Sequence, residues 1–133
     1  MARPHRKHQP SPEQELPKRL ASKLSADLRP ALQHPCRRQI LRSLHNHVHQ
    51  KLNPAEAAES GLLPCSTPCA NYHMRVLAKA RLVGRASSEA SRGSIKVYFS
   101  SLIGEKPVVL EVLRETEESD SRFLAQPAAR NAV

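Results

Sequence analysis

Residues Ser66–Val83 read STPCANYHMRVLAKARLV. Ser66 or Thr67 suits a helix N-cap, and Pro68 suits the first helical turn, where its missing N–H costs nothing. The body that follows holds neither Gly nor Pro, which predicts a helix over about 68–80. At 100° per residue Ala70, Met74, Leu77 and Ala78 share one side. Pro68, Asn71, Tyr72, Arg75 and Lys79 share the other. That second face is polar, aromatic and basic, and it carries no acid. A solvated helix face normally mixes both signs, whereas a face that meets a polyanion does not.

The segments on either side extend this pattern. Upstream, Asn53-Pro54 is a second cap-and-proline signal, and the short helix PAEAAES stops at Gly61, a residue suited to a left-handed C-cap. A short helix, a turn and a longer helix with a basic outer face make a helix-turn-helix, here with a long turn. Downstream, Leu82-Val83 opens a strand and Arg92-Gly93 marks a turn. Ile95, Val97 and Phe99 then alternate with Lys96, Tyr98 and Ser100, the period of a half-buried strand. Such a hairpin is a wing, with Arg85, Arg92 and Lys96 as its positive charge. The fold class expected is mainly α with a β-hairpin wing, a winged helix-turn-helix DNA-binding domain over residues 16–104.

Composition agrees with a polyanion partner. The 133 residues carry 21 Lys and Arg against 12 acids, a formal net charge of +9. Residues 66–104 hold six basic side chains and one acid, Glu89, whereas residues 105–122 hold six acids and three bases. Aromatics are only 3% of the chain and Trp is absent, so the expected core is small and aliphatic. A second subunit would help such a core to bury surface. Three cysteines, an odd number, argue against a disulfide scaffold. The given N-terminus does not read as a secretory signal, and the sequence has no apolar run of the roughly 18 residues that span a bilayer. The expected compartment is reducing cytoplasm.

The rest of the chain reads as supports and tails. Residues 1–15 are expected to form a disordered basic arm. Leu16, Leu20, Leu24, Leu28 and Leu32 make a helical stripe that Pro30 should kink or split. His34-Pro35 opens another helix, with Cys36, Ile40, Leu41 and Leu44 inward and Arg37, Arg38 and Arg42 outward. Residues 105–118 read as one helix with Val108, Val109, Val112 and Leu113 on one side. Leu16, Leu20, Leu24, Val109, Val112 and Leu113 are the expected homodimer contacts; packing of the two stripes within one chain is the alternative. Residues 119–133 are expected to be a disordered tail.

Three segments, in order, carry a family resemblance. ALQHPCRRQILRSL (Ala31–Leu44), YHMRVLAKARLV (Tyr72–Val83) and RGSIKVYFSSL (Arg92–Leu102) resemble the opening helix, the recognition helix and the closing wing strand of ArsR-type winged helix-turn-helix regulators. Arg81 stands where that family has a helix-ending Gly, and Met74 stands in place of Leu. The paired cysteines of the metal-sensing members are absent from PAEAAES. The resemblance implies a homodimeric, sequence-specific DNA-binding regulator, a bacterial repressor; it does not imply metal sensing. On that reading Ser66 and Thr67 hold a phosphate at the helix start, and Asn71 and Arg75 read base edges. Tyr72 and Lys79 touch the backbone, and Arg85, Arg92 and Lys96 contact phosphate or the minor groove.

Other readings stay open. A winged helix can instead bind an acidic protein. Cys65, Cys69 and His73 are either core residues or a metal- or redox-responsive sensor, and alternating His45, His47 and His49 are either a solvated loop or metal ligands. No metal site is assigned, no cofactor is called for and the effector is unknown. No phosphate loop, nucleophile elbow or apolar carboxylate pair is present, so the chain reads as a non-enzyme.

Overall fold

The computed structural model describes residues 16–46, 51–104 and 106–125. The expected basic arm, His47, His49 and the end of the tail lie outside them. The described chain is a mixed α/β fold of seven helices and one antiparallel two-stranded hairpin. The helices preceding the hairpin are α1 (Lys18–Ala21), α2 (Leu28–Leu32), α3 (Pro35–His45), α4 (Pro54–Glu59) and α5 (Thr67–Lys79). The hairpin is β1 (Val83–Ser91) and β2 (Ser94–Ser101), followed by α6 (Pro107–Glu115) and α7 (Glu117–Ala125). No helix among the described residues is long and apolar enough to cross a membrane.

Local chemistry sets the helix ends. The His34 ring accepts the Cys36 N–H at 3.1 Å, Asn53 accepts that of Glu56 at 3.1 Å, and Ser66 accepts that of Cys69 at 3.3 Å. Each cap satisfies one donor that the first turn leaves over, and each is followed by a proline within two residues. Gly61, at φ 86°, follows the end of α4 as expected. Arg81 takes the equivalent place after α5 at φ 63°. Its N–H donates to Ala78 O at 3.0 Å, and Leu82 N–H donates to Leu77 O at 3.0 Å. This pair of bonds is a Schellman ending, normally built on Gly.

The leucine stripe is split, but not at Pro30. The break falls between α1 and α2, and Pro30 is the third residue of α2, where its backbone nitrogen has no helical acceptor to lose. Leu16, Leu20, Leu24, Val109, Val112 and Leu113 are all buried in one core cluster. Helix α1 packs on α6, and Arg19 bridges Glu111 at 2.9 Å and also binds Glu115. The two stripes thus meet within the one chain, and the six expected dimer contacts are buried in its own core.

Two further expectations are corrected together. Helix α7 occupies the first part of the expected disordered tail, and Arg38 and Arg42 point inward. Arg38 is fully buried and grips Asp120 of α7 with two bonds, Nε to Oδ2 at 2.7 Å and Nη2 to Oδ1 at 2.6 Å. Arg42 adds a third contact to Oδ2 at 2.9 Å and donates to Leu113 O and the Thr116 hydroxyl. Charge periodicity on α3 points both arginines at water. Their partner Asp120, 82 residues from Arg38, overrides that placement.

Candidate nucleic-acid interface

Helix α5 lies with Ala70, Met74 and Leu77 buried and Pro68, Asn71, Tyr72, Arg75 and Lys79 exposed, the two faces expected from its periodicity. Among the described residues no carboxylate pairs with Arg75 or Lys79. Ser66 and Thr67 are half-buried at the helix start, with the Ser66 oxygen already committed to its cap. Tyr72 is half exposed, and the Arg37 guanidinium sits 5.6 Å from its ring centroid, within cation–π range.

The hairpin follows directly and is anchored to α4. Leu52 and Phe99 exchange backbone bonds at 2.8 and 2.9 Å, and the Asn53 amide donates to Val97 O at 2.9 Å. Thus the residue that caps α4 also fixes β2. Arg92 and Gly93 form the two-residue turn, both with positive φ (50° and 82°), the pattern that matches strand twist. A bulge falls between Arg85 and Ser87.

The expected alternation of β2 is not seen: Lys96, Val97, Phe99 and Ser100 are all half-buried. Ile95 near the hairpin tip is 71% exposed. Tyr98, expected outside, is buried: its hydroxyl donates to Glu56 at 3.0 Å and the Lys51 ammonium covers its ring at 4.7 Å.

The expected basic residues are not equivalent in their surroundings. Arg85 and Arg92 are exposed, and among the described residues no carboxylate pairs with them. Lys96 instead pairs with Glu56 at 3.3 Å, and the nearby acid Glu89 pairs with Lys51 at 3.3 Å. A groove of about 350 Å³ runs between α5 and the hairpin, lined by Asn71, Arg85, Ile95 and Val97. It brings Asn71 and Arg85 into one concave surface. Glu56 was invisible to sequence reasoning, since nothing near it in the chain marks it as the acceptor for two β2 side chains.

Behind α5 lies a cluster of a different kind. Cys65 precedes the cap, Cys69 is in the first turn and His73 is one turn further on. Ligand atoms of these three residues lie within 4.8 Å of one another, and those of His34, Cys36 and His73 do so as well. All three cysteines are free. The hydrogen bond from Cys36, together with burial, pushes the Cys65 thiol up to about 12, and the bond with Cys65 does the same for Cys69. Burial holds His73 below the usual imidazole value. Arg37 Nε donates to His73 Nδ1 at 3.1 Å, which leaves the ring proton on Nε2. Nε2 is buried and has no hydrogen-bond partner among the described residues.

The sequence had grouped Cys65, Cys69 and His73 by spacing. Cys36 and His34 join them only because α3 packs on α5. No family model, no curated protein and no solved structure matches this chain.

Proposed function

We propose that the chain is a sequence-specific DNA-binding transcriptional regulator of the winged helix-turn-helix kind, a repressor acting as a homodimer. The observation that carries the reading is the exposed, acid-free face of α5, flush with a groove shared with the hairpin. In this reading α4 and α5 are the helix-turn-helix, α5 enters the major groove and β1–β2 is the wing. Asn71 and Arg75 read base edges, as Asn suits adenine and Arg suits guanine. Tyr72, Lys79, Arg85 and Arg92 hold the sugar-phosphate backbone, and Ser66 and Thr67 flank the helix N-terminus, where a phosphate docks. Lys96 is the weakest of the expected contacts, because Glu56 shares its charge.

The likeness of three segments to ArsR-type regulators supports the same reading. A dimer would use surfaces other than the six buried apolar residues. In a two-fold dimer the α5 helices would meet successive major grooves roughly 34 Å apart. The test is selection of bound sequences from random duplex DNA with the purified protein. A palindromic consensus with two half-sites is the expected outcome. Absence of salt-dependent binding to any duplex at low ionic strength would reject the reading.

A further inference from the structure

We propose that Cys36, Cys65, Cys69 and His73 form a binding site for one divalent ion of the zinc type. The argument begins with composition. Three thiols and an imidazole converge in one place, and Cys3His is a standard ligand set for structural zinc. Thiolate ligands favour zinc-like over calcium- or magnesium-like ions. Neither of the two groups that share His73 contains a carboxylate.

Geometry comes next. Zinc–sulphur bonds of about 2.3 Å put tetrahedral sulphurs just under 4 Å apart. Cys65, Cys69 and His73 already fall within 4.8 Å of one another, so closure asks for less than a helical turn of movement. Cys36 supplies the fourth donor: it lies within 4.8 Å of His73, in a second group that shares that ring.

Two further observations bear on the site. His73 is 3% exposed, yet its Nε2 has no partner among the described residues, and a buried polar atom left that way costs about 1–3 kcal/mol. Cys36 and Cys69 also sit at helix starts, which offsets part of what burial and the neighbouring thiols cost a thiolate. Cys69 is in the first turn of α5 and Cys36 in the first turn of α3, so the partial positive ends of two helices face the cluster. His34 is committed through Nδ1 to capping α3 and serves as a support.

On binding, each ligating thiol releases its proton to solvent and the thiolate takes the ion. Ligation through Nε2 moves the ring proton to Nδ1, where Arg37 now donates. The guanidinium must then let go, and it lies against Tyr72 on the outer face of α5. The site itself stands apart from the DNA reading, so its test uses no DNA.

The full-length protein, reduced, stripped with a chelator and kept under inert gas, is titrated with cobalt(II). The expected result is one equivalent bound, with a thiolate-to-cobalt charge-transfer band in the near ultraviolet and the intense visible bands of a tetrahedral ion. Zinc should bleach both. Cys65→Ser and Cys69→Ser change half-exposed residues, so both should fold, and each should weaken binding at least about tenfold. His73→Gln should keep the charge-transfer band and shift the visible bands. Failure of the wild-type protein to give a thiolate band overturns the proposal. So does a spectrum unchanged in Cys69→Ser, or a weak octahedral spectrum from histidines elsewhere in the chain.

Discussion

Arg81 holds a left-handed backbone, a conformation that costs a residue with a Cβ about 1–2 kcal/mol. Arg81→Gly removes that cost and returns part of it as extra entropy of the unfolded chain. The expected net gain is about 0.5–1 kcal/mol, read as a higher urea midpoint at unchanged slope; Arg81→Ala should show no such gain. The sequence already marked this position, because Gly is what a Schellman ending calls for there. Asp120 is the opposite case. It is fully buried and answers two arginines. Asp120→Ala leaves both guanidinium groups without their carboxylate and should cost about 3–5 kcal/mol in chemical denaturation. Nothing local announced it. In SRFLA and the acids before it Asp120 looks like one more surface charge, since a periodic pattern cannot say which charge has a distant partner.

The exposed face of α5 and the hairpin beside it are held in place through α4. Asn53 caps α4 and holds Val97, and Glu56 in the first turn of α4 binds Lys96 and Tyr98. Glu56 therefore ties the hairpin to the helix and masks one of its charges. On the proposed function, Glu56→Gln frees Lys96 for phosphate while its amide oxygen can still accept from Tyr98. Binding to random duplex DNA should tighten at low salt, and the slope of log K against log salt should steepen by up to about one. An unchanged slope would mean that Lys96 does not reach DNA. Caps, prolines and the two faces of α5 were legible because they are set by neighbours within four residues. The boundary between α1 and α2 was misread because Pro30 drew attention from the Ser- and Asp-containing stretch Ser22–Asp27. Helix α7 was missed because its stripe is weak and its anchor is an ion pair.

Charge is divided across the molecule between a basic α5 and hairpin and an acidic α6 and α7. On the proposed function, two substitutions on α5 separate the roles of its side chains. Arg75→Ala should lose about 1–3 kcal/mol of discrimination against the wrong base while keeping random-duplex affinity. Lys79→Ala should weaken all duplexes alike and lower the salt slope by about one. Competition binding at several salt concentrations distinguishes them, and equal loss on all sequences for Arg75→Ala would remove it from the base-reading set. The subunit arrangement was not legible, since an apolar stripe looks the same whether its cover is the same chain or another. The thiol cluster was half legible: spacing gave Cys65, Cys69 and His73, and only the packing of α3 on α5 added Cys36. The Arg38–Asp120 pair also bears on how the molecule is made. At roughly 5–20 residues per second, the 82 residues between them take about 4–16 s to synthesise. Through that interval a nascent chain holds the leucines of its core but not the carboxylate that lets α3 turn its arginines inward. A polypeptide halted before Asp120 lacks the carboxylate that Arg38 and Arg42 grip, so the packing of α3, made early, is completed only by α7, made late.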